Sequence, residues 1–96
     1  MLEKLSHADF QNLDDKTFEI DFGEAGTLTA QLEKTSGFDL EPGEDKRDPF
    51  SVFLRCAAPA VQSTYSVTHP TLGTLDLFLV PIEESDDGVL FEAVFN

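Results

Sequence analysis

From Thr17 onward the chain alternates apolar and polar residues with a period of two. Phe18, Ile20 and Phe22 fall on one side, Glu19 and Asp21 on the other, the pattern of a strand with one face in a core and one in water. Gly23-Glu24-Ala25-Gly26 reads as a turn. Leu28, Ala30 and Leu32 then resume the alternation against Thr27, Thr29 and Gln31, so the two runs predict a hairpin. Four more strands are predicted: Phe50 to Cys56, Gln62 to His69, Thr74 to Val80 and Val89 to Phe95. Ala57-Ala58-Pro59 and Pro70-Thr71-Leu72-Gly73 separate them, Pro81 closes the fifth, and Glu83 to Gly88 forms a polar hairpin loop.

Two segments break the period. Ahead of the strands, Ser6 is placed to cap a short helix, with Asp9 at the capping-box position and Leu5 and Phe10 at the staple positions. Between the second and third strands, Ser36 to Asp48 holds two glycines, one proline and five acidic residues. It reads as a long loop whose Phe38 and Leu40 tuck onto the core. The fold class is all-β: about six antiparallel strands forming a small sandwich or barrel, with a short N-terminal helix. Residues 1–96 make a single domain.

The later strands are apolar on both sides. Phe50, Val52, Leu54 and Cys56 share one face, as do Leu75, Leu77 and Leu79, and Val89, Phe91, Ala93 and Phe95. With Phe18, Ile20 and Leu28 these compose the predicted core. Phe53, Phe78, Val80, Leu90 and Val94 have the opposite parity, flanked by Arg55, Asp76 and Glu92, and an Arg55–Glu92 cross-strand pair would satisfy both charges. Either the helix and the long loop cover this second face, or it meets a partner, which makes these five residues the candidate contact surface.

Composition narrows the range of functions. Nine Phe residues, with no Trp and one Tyr, give a small domain large apolar groups that need no hydrogen-bond partner. Six Lys and Arg against 19 Asp and Glu leave a net charge of −13, which argues against nucleic acid and against anionic membranes. The expected partner is another protein or a second copy of the chain. Cys56 is the lone cysteine, the opening residues lack the apolar run of a signal peptide, and no stretch approaches the roughly 20 apolar residues of a span. The expected address is the cytoplasm.

No catalytic, cofactor or metal motif stands out. Cys56 lies on the core face and reads as a buried, inert thiol. His69, before Pro70, reads as a residue that fixes the turn through backbone hydrogen bonds, with a ligand or pH-sensing role as the alternative. The acidic clusters lack the alternate-residue spacing of a calcium loop. The polar residues that are candidates for a role beyond the fold are Gln62, His69 and Glu92; with Tyr65 they form the candidate polar site. The alternative to an interaction module is thus a small-ligand-binding domain or enzyme with a site near Gln62, Tyr65 and His69.

The last third also carries a recognisable signature. Gln62-Ser63-Thr64-Tyr65, His69-Pro70-Thr71-Leu72-Gly73, Leu77-Phe78-Leu79-Val80-Pro81 and Glu92-Ala93-Val94-Phe95-Asn96 resemble a family of small stand-alone bacterial domains of unknown function. Leu5 through Phe10, and Phe18, resemble that family's opening. The resemblance implies no activity. It implies an accessory or structural protein, associated with phage-tail-like or secreted assemblies. Together these features lead to the expectation of a non-enzymatic interaction or assembly module without a cofactor.

Overall fold

A computed structural model describes residues 5–37 and 49–95. The period-two segments become β1 (Thr17–Asp21), β2 (Thr27–Gly37), β3 (Phe50–Cys56), β4 (Ser63–His69), β5 (Gly73–Ser85) and β6 (Gly88–Phe95), preceded by a helix, α1 (His7–Gln11). The strands close a barrel in the order β1-β2-β3-β6-β5-β4, with every neighbouring pair antiparallel. Of the two architectures the strand pattern allowed, the chain adopts the barrel. It consists of two three-stranded meanders, β1-β2-β3 and β4-β5-β6, joined along β3–β6 and β1–β4.

The middle strand of each meander serves two neighbours with different stretches of its length. In β2, Thr27–Gln31 pair with β1 and Ala30–Gly37 with β3, with a bulge between Leu32 and Lys34. In β5, Gly73–Leu79 pair with β4 and Val80–Ser85 with β6, with a bulge between Pro81 and Glu83. Bulges sharpen the local bend, which lets one strand turn a barrel corner.

These bulges correct two boundaries read from the sequence. Pro81 does not end the fifth strand, because the bulge beside it accommodates a residue that cannot donate to a ladder. The connection expected from Glu83 to Gly88 shrinks to Asp86-Asp87, with Ser85 paired to Gly88. Likewise β2 continues to Gly37, beyond the start expected for the long loop. Phe38 and Leu40, and the acidic cluster from Glu41 to Asp48, lie outside the described residues.

The predicted core register is the observed one. Phe18, Ile20, Leu77, Leu79, Phe91 and Phe95 are all buried in one cluster, and Leu28 packs against it. Aromatic rings close both ends of the barrel. At one end Phe10 from α1 sits among Phe18, Phe50 and Phe95, with centroids 6.4, 5.7 and 5.2 Å away, and Phe50 stacks on Phe95 at 4.6 Å. At the other, Phe22, Tyr65 and Phe91 meet with centroids 4.8–6.3 Å apart. Pairs of this kind contribute about 0.5–1.5 kcal/mol beyond their buried area.

The helix is held where its cap predicts. The Ser6 backbone N–H donates to the Asp9 carboxylate at 2.8 Å, which satisfies a donor that the first turn leaves orphaned. His7 stacks on Phe50 at 5.5 Å and its Nε2 lies 2.7 Å from the Thr35 hydroxyl. So α1 plugs the barrel end instead of lying on the outer sheet face.

Candidate functional site

The five residues of opposite parity lie on three adjacent strands, β3, β6 and β5, and all point away from the core cluster. Glu92 faces Phe53 on one side and Val80 on the other. Among the described residues, only part of this face is buried. Phe53 and Leu90 are buried, Val80 is half-buried, and Phe78 and Val94 are 52% and 54% exposed. The expected stripe therefore splits into a covered part and an open part.

Cations explain the covered part. The Lys34 ammonium lies over the Phe53 ring, 4.8 Å from its centroid, a cation–π contact that shields the ring. Leu90 stands between Arg55 and Glu83 in one cross-strand row. Arg55 Nη2 donates to Glu83 Oε1 at 2.9 Å, so this ion pair passes over Leu90. Arg55 also donates through Nε and Nη2 to Glu33 and through Nη1 to the Ser85 hydroxyl. The Arg55 hydrogen bond holds the Glu33 carboxyl below its ordinary range, and the two glutamates raise the Arg55 guanidinium.

This network replaces the pair expected between Arg55 and Glu92. The register sets Glu92 opposite Phe53 and Arg55 opposite Leu90. Arg55 instead joins Glu33, the extra residue of the β2 bulge, to Glu83, which follows the β5 bulge.

The open part consists of Phe78, Val80 and Val94, with Ile82 48% exposed further along β5. Ile82 shares the parity of Phe78 and Val80, and the sequence reading leaves it off the face because it ends the fifth strand at Pro81, whereas β5 runs on to Ser85. Val61, just before β4, is also exposed. Asp76 and Glu92 flank the patch, and β1, β4, β5 and β6 carry no Lys or Arg.

The candidate polar residues do not converge. His69 is 1% exposed, and its ring sits 4.6 Å from Phe18. Its Nδ1 accepts from the Thr71 and Leu72 backbone N–H groups at 3.0 and 3.4 Å, which leaves Nε2 to donate to the Asp15 carbonyl at 2.7 Å. Both ring nitrogens are thus committed to backbone, tying the β4–β5 turn to the segment entering β1. Tyr65 donates to the Val61 carbonyl at 2.6 Å. Gln62 is exposed ahead of β4, and Glu92 lies on the outer face. A groove of about 310 Å³ near the His69 turn is lined by Asp15, Thr17, Glu19, Thr68 and Pro70, and His69 itself does not enter it.

Cys56 is 2% exposed, and burial raises its thiol pKa, the opposite of what a nucleophilic thiolate requires. Among the described residues, no cluster of three or more His, Cys, Asp or Glu side chains is placed to hold a metal ion. No helix among them is long and apolar enough to cross a membrane.

No curated protein and no solved structure matches the chain significantly. Residues 5–95 match the profile of one family, described as a domain of unknown function. That match spans the helix, all six strands and the Arg55 network, and the chain accordingly belongs to this family of small domains, DUF6916.

Proposed function

We propose that this domain is a non-enzymatic interaction module that binds another protein through the outer face of β5 and β6. The observation that carries this reading is the exposure of Phe78 and Val94, each more than half open to solvent, on a face where Lys34 and Arg55 shield only Phe53 and Leu90. Grouped exposed apolar side chains mark contact surfaces on small domains. With a net charge of −13, nucleic acid and anionic lipid are poor partners. The committed hydrogen bonds of His69 and the raised thiol of Cys56 support a role without catalysis. A lone buried thiol suits the cytoplasm, and the role fits an accessory component of a tail-like or secreted bacterial assembly.

Replacing Phe78 by Asp tests this reading. A surface contact residue gives a variant with the wild-type circular dichroism spectrum and melting temperature and higher solubility. Global unfolding of Phe78→Asp would make Phe78 part of the fold and take from this reading its main support.

A further inference from the structure

The open patch coincides with a place where the pairing of two barrel strands ends. β5 and β6 are paired from Val80–Glu92 to Ser85–Gly88. Beyond Val80 no ladder joins them: Gly73–Leu79 pair with β4, while Ala93 and Val94 pair with β3. Among the described residues, no strand pairs with the side of Gly73–Leu79 that faces away from β4. Phe78 stands on one bank of this seam and Val94 on the other.

We propose that the seam receives an extended, basic segment of a partner protein, which adds to the β5 edge as a further strand. This rests on the contact-surface reading and names the partner's chemistry. Main-chain hydrogen bonds to a sheet edge give such a segment affinity, and side-chain contacts give it selectivity. Apolar side chains of the segment would lie beside Phe78 and Val94, and Lys or Arg beside Asp76 and Glu92.

Charge decides between this occupant and a second copy of the chain. Near the seam, Ser66 on β4 faces Asp21 on one side and Asp76 on the other, and Glu92 lies across from Val80. The cations on the barrel strands are engaged elsewhere, with Arg55 held by two glutamates and Lys34 over Phe53. A second copy would set carboxylates against carboxylates, which costs free energy at an interface, whereas a basic segment complements them.

The test uses three probes: a capped peptide of alternating Val and Lys, its Val–Glu counterpart, and the Val–Lys peptide N-methylated at alternate residues. Methylation keeps the charge but removes the donors that a ladder needs. The inference requires that the plain Val–Lys peptide bind at least about tenfold more tightly than either other probe. Its amide chemical-shift changes should centre on Gly73–Leu79, Ala93 and Val94. Phe78→Asp should abolish binding, and Asp76→Asn with Glu92→Gln should weaken it and flatten its salt dependence. Should Phe78→Asp unfold, Val94→Thr provides a second patch variant, with weakened binding again required. Equal binding of the methylated peptide, or shifts spread over the acidic surface, would reduce the effect to charge adsorption and overturn strand addition. Wild-type dimerisation through Phe78 would identify a second copy as the occupant and overturn it also. In either case, a folded Phe78→Asp variant with normal melting would leave the broader contact-surface reading standing.

Discussion

Arg55 and Glu83 pair across an intervening strand, reaching 2.9 Å over the side chain of Leu90. The same guanidinium holds Glu33. One side chain on β3 therefore ties together the two bulged strands on either side of it and roofs an apolar residue that would otherwise face water.

Replacing Arg55 by Met should destabilise the domain in a pH-dependent way. The hydrogen bond from Arg55 depresses the folded-state pKa of Glu33 below its ordinary value of 4.5. Its contribution is present above that value and is lost as pH falls through the lower folded value. Wild type should thus be the more stable protein at neutral pH, with the difference shrinking on acidification below 4.5. Glu33 is 39% exposed, so solvent screening keeps the effect modest. Urea unfolding at stepped pH measures it, and a pH-independent difference would assign the role of Arg55 to packing over Leu90 alone.

His69→Phe retains a ring in the core but removes every hydrogen bond made by the imidazole. The Thr71 and Leu72 N–H groups and the Asp15 carbonyl lose their partner. Stranding such groups costs about 1–3 kcal/mol. Chemical denaturation gives the value directly. A loss under about 0.5 kcal/mol would mean that water replaces the imidazole in the turn.

Cys56 should react slowly with an aromatic disulfide reagent in the native protein. It is 2% exposed, and burial disfavours its thiolate. Labelling should accelerate in urea in step with loss of the circular dichroism signal. Fast labelling of folded protein at neutral pH would contradict this.

Gly88 opens β6 with φ +112°, and a Cβ there would stand 2.8 Å from the Cys56 carbonyl oxygen. Gly88→Ala combines backbone strain with a clash against main chain, at about 1–3 kcal/mol or more. Gly26→Ala carries the strain of φ +84° but meets no atom within 4 Å, so it should lower the melting temperature less. Equal effects would show that the contact with Cys56 relaxes freely.

What was legible in the sequence is what period two encodes. Phe50, Val52, Leu54 and Cys56, and likewise Val89, Phe91, Ala93 and Phe95, could be placed inside because alternation fixes a face regardless of neighbours. Partner choice across strands was not legible. Glu92 shares the outward parity of Arg55, but the ladder sets it beside Phe53, and the glutamates Arg55 holds are brought to it at the β2 and β5 bulges. Glu33 and Ile82 each add one residue to a strand, and nothing local distinguishes such an insertion from the end of a strand, least of all beside Pro81. For the outer face, parity grouped five apolar residues. Which of them stay open depends on where Lys34 and Arg55 reach, a tertiary fact.

The division into two meanders has a consequence for how this chain reaches its native state. Each meander is contiguous in sequence, so its two hairpins can form from nearby residues, whereas the β3–β6 and β1–β4 ladders join residues far apart along the chain. Closure of those two ladders carries most of the loop entropy and should limit the folding rate. The lone covalent connection between the halves is the segment from Ala57 to Gln62, leaving β3 and entering β4. Each half presents the same two ladders to any copy of the other, whether it belongs to its own chain or not. At high concentration, exchange of halves between two chains is therefore the natural route to misassembly, with the Ala57–Gln62 connection as the hinge.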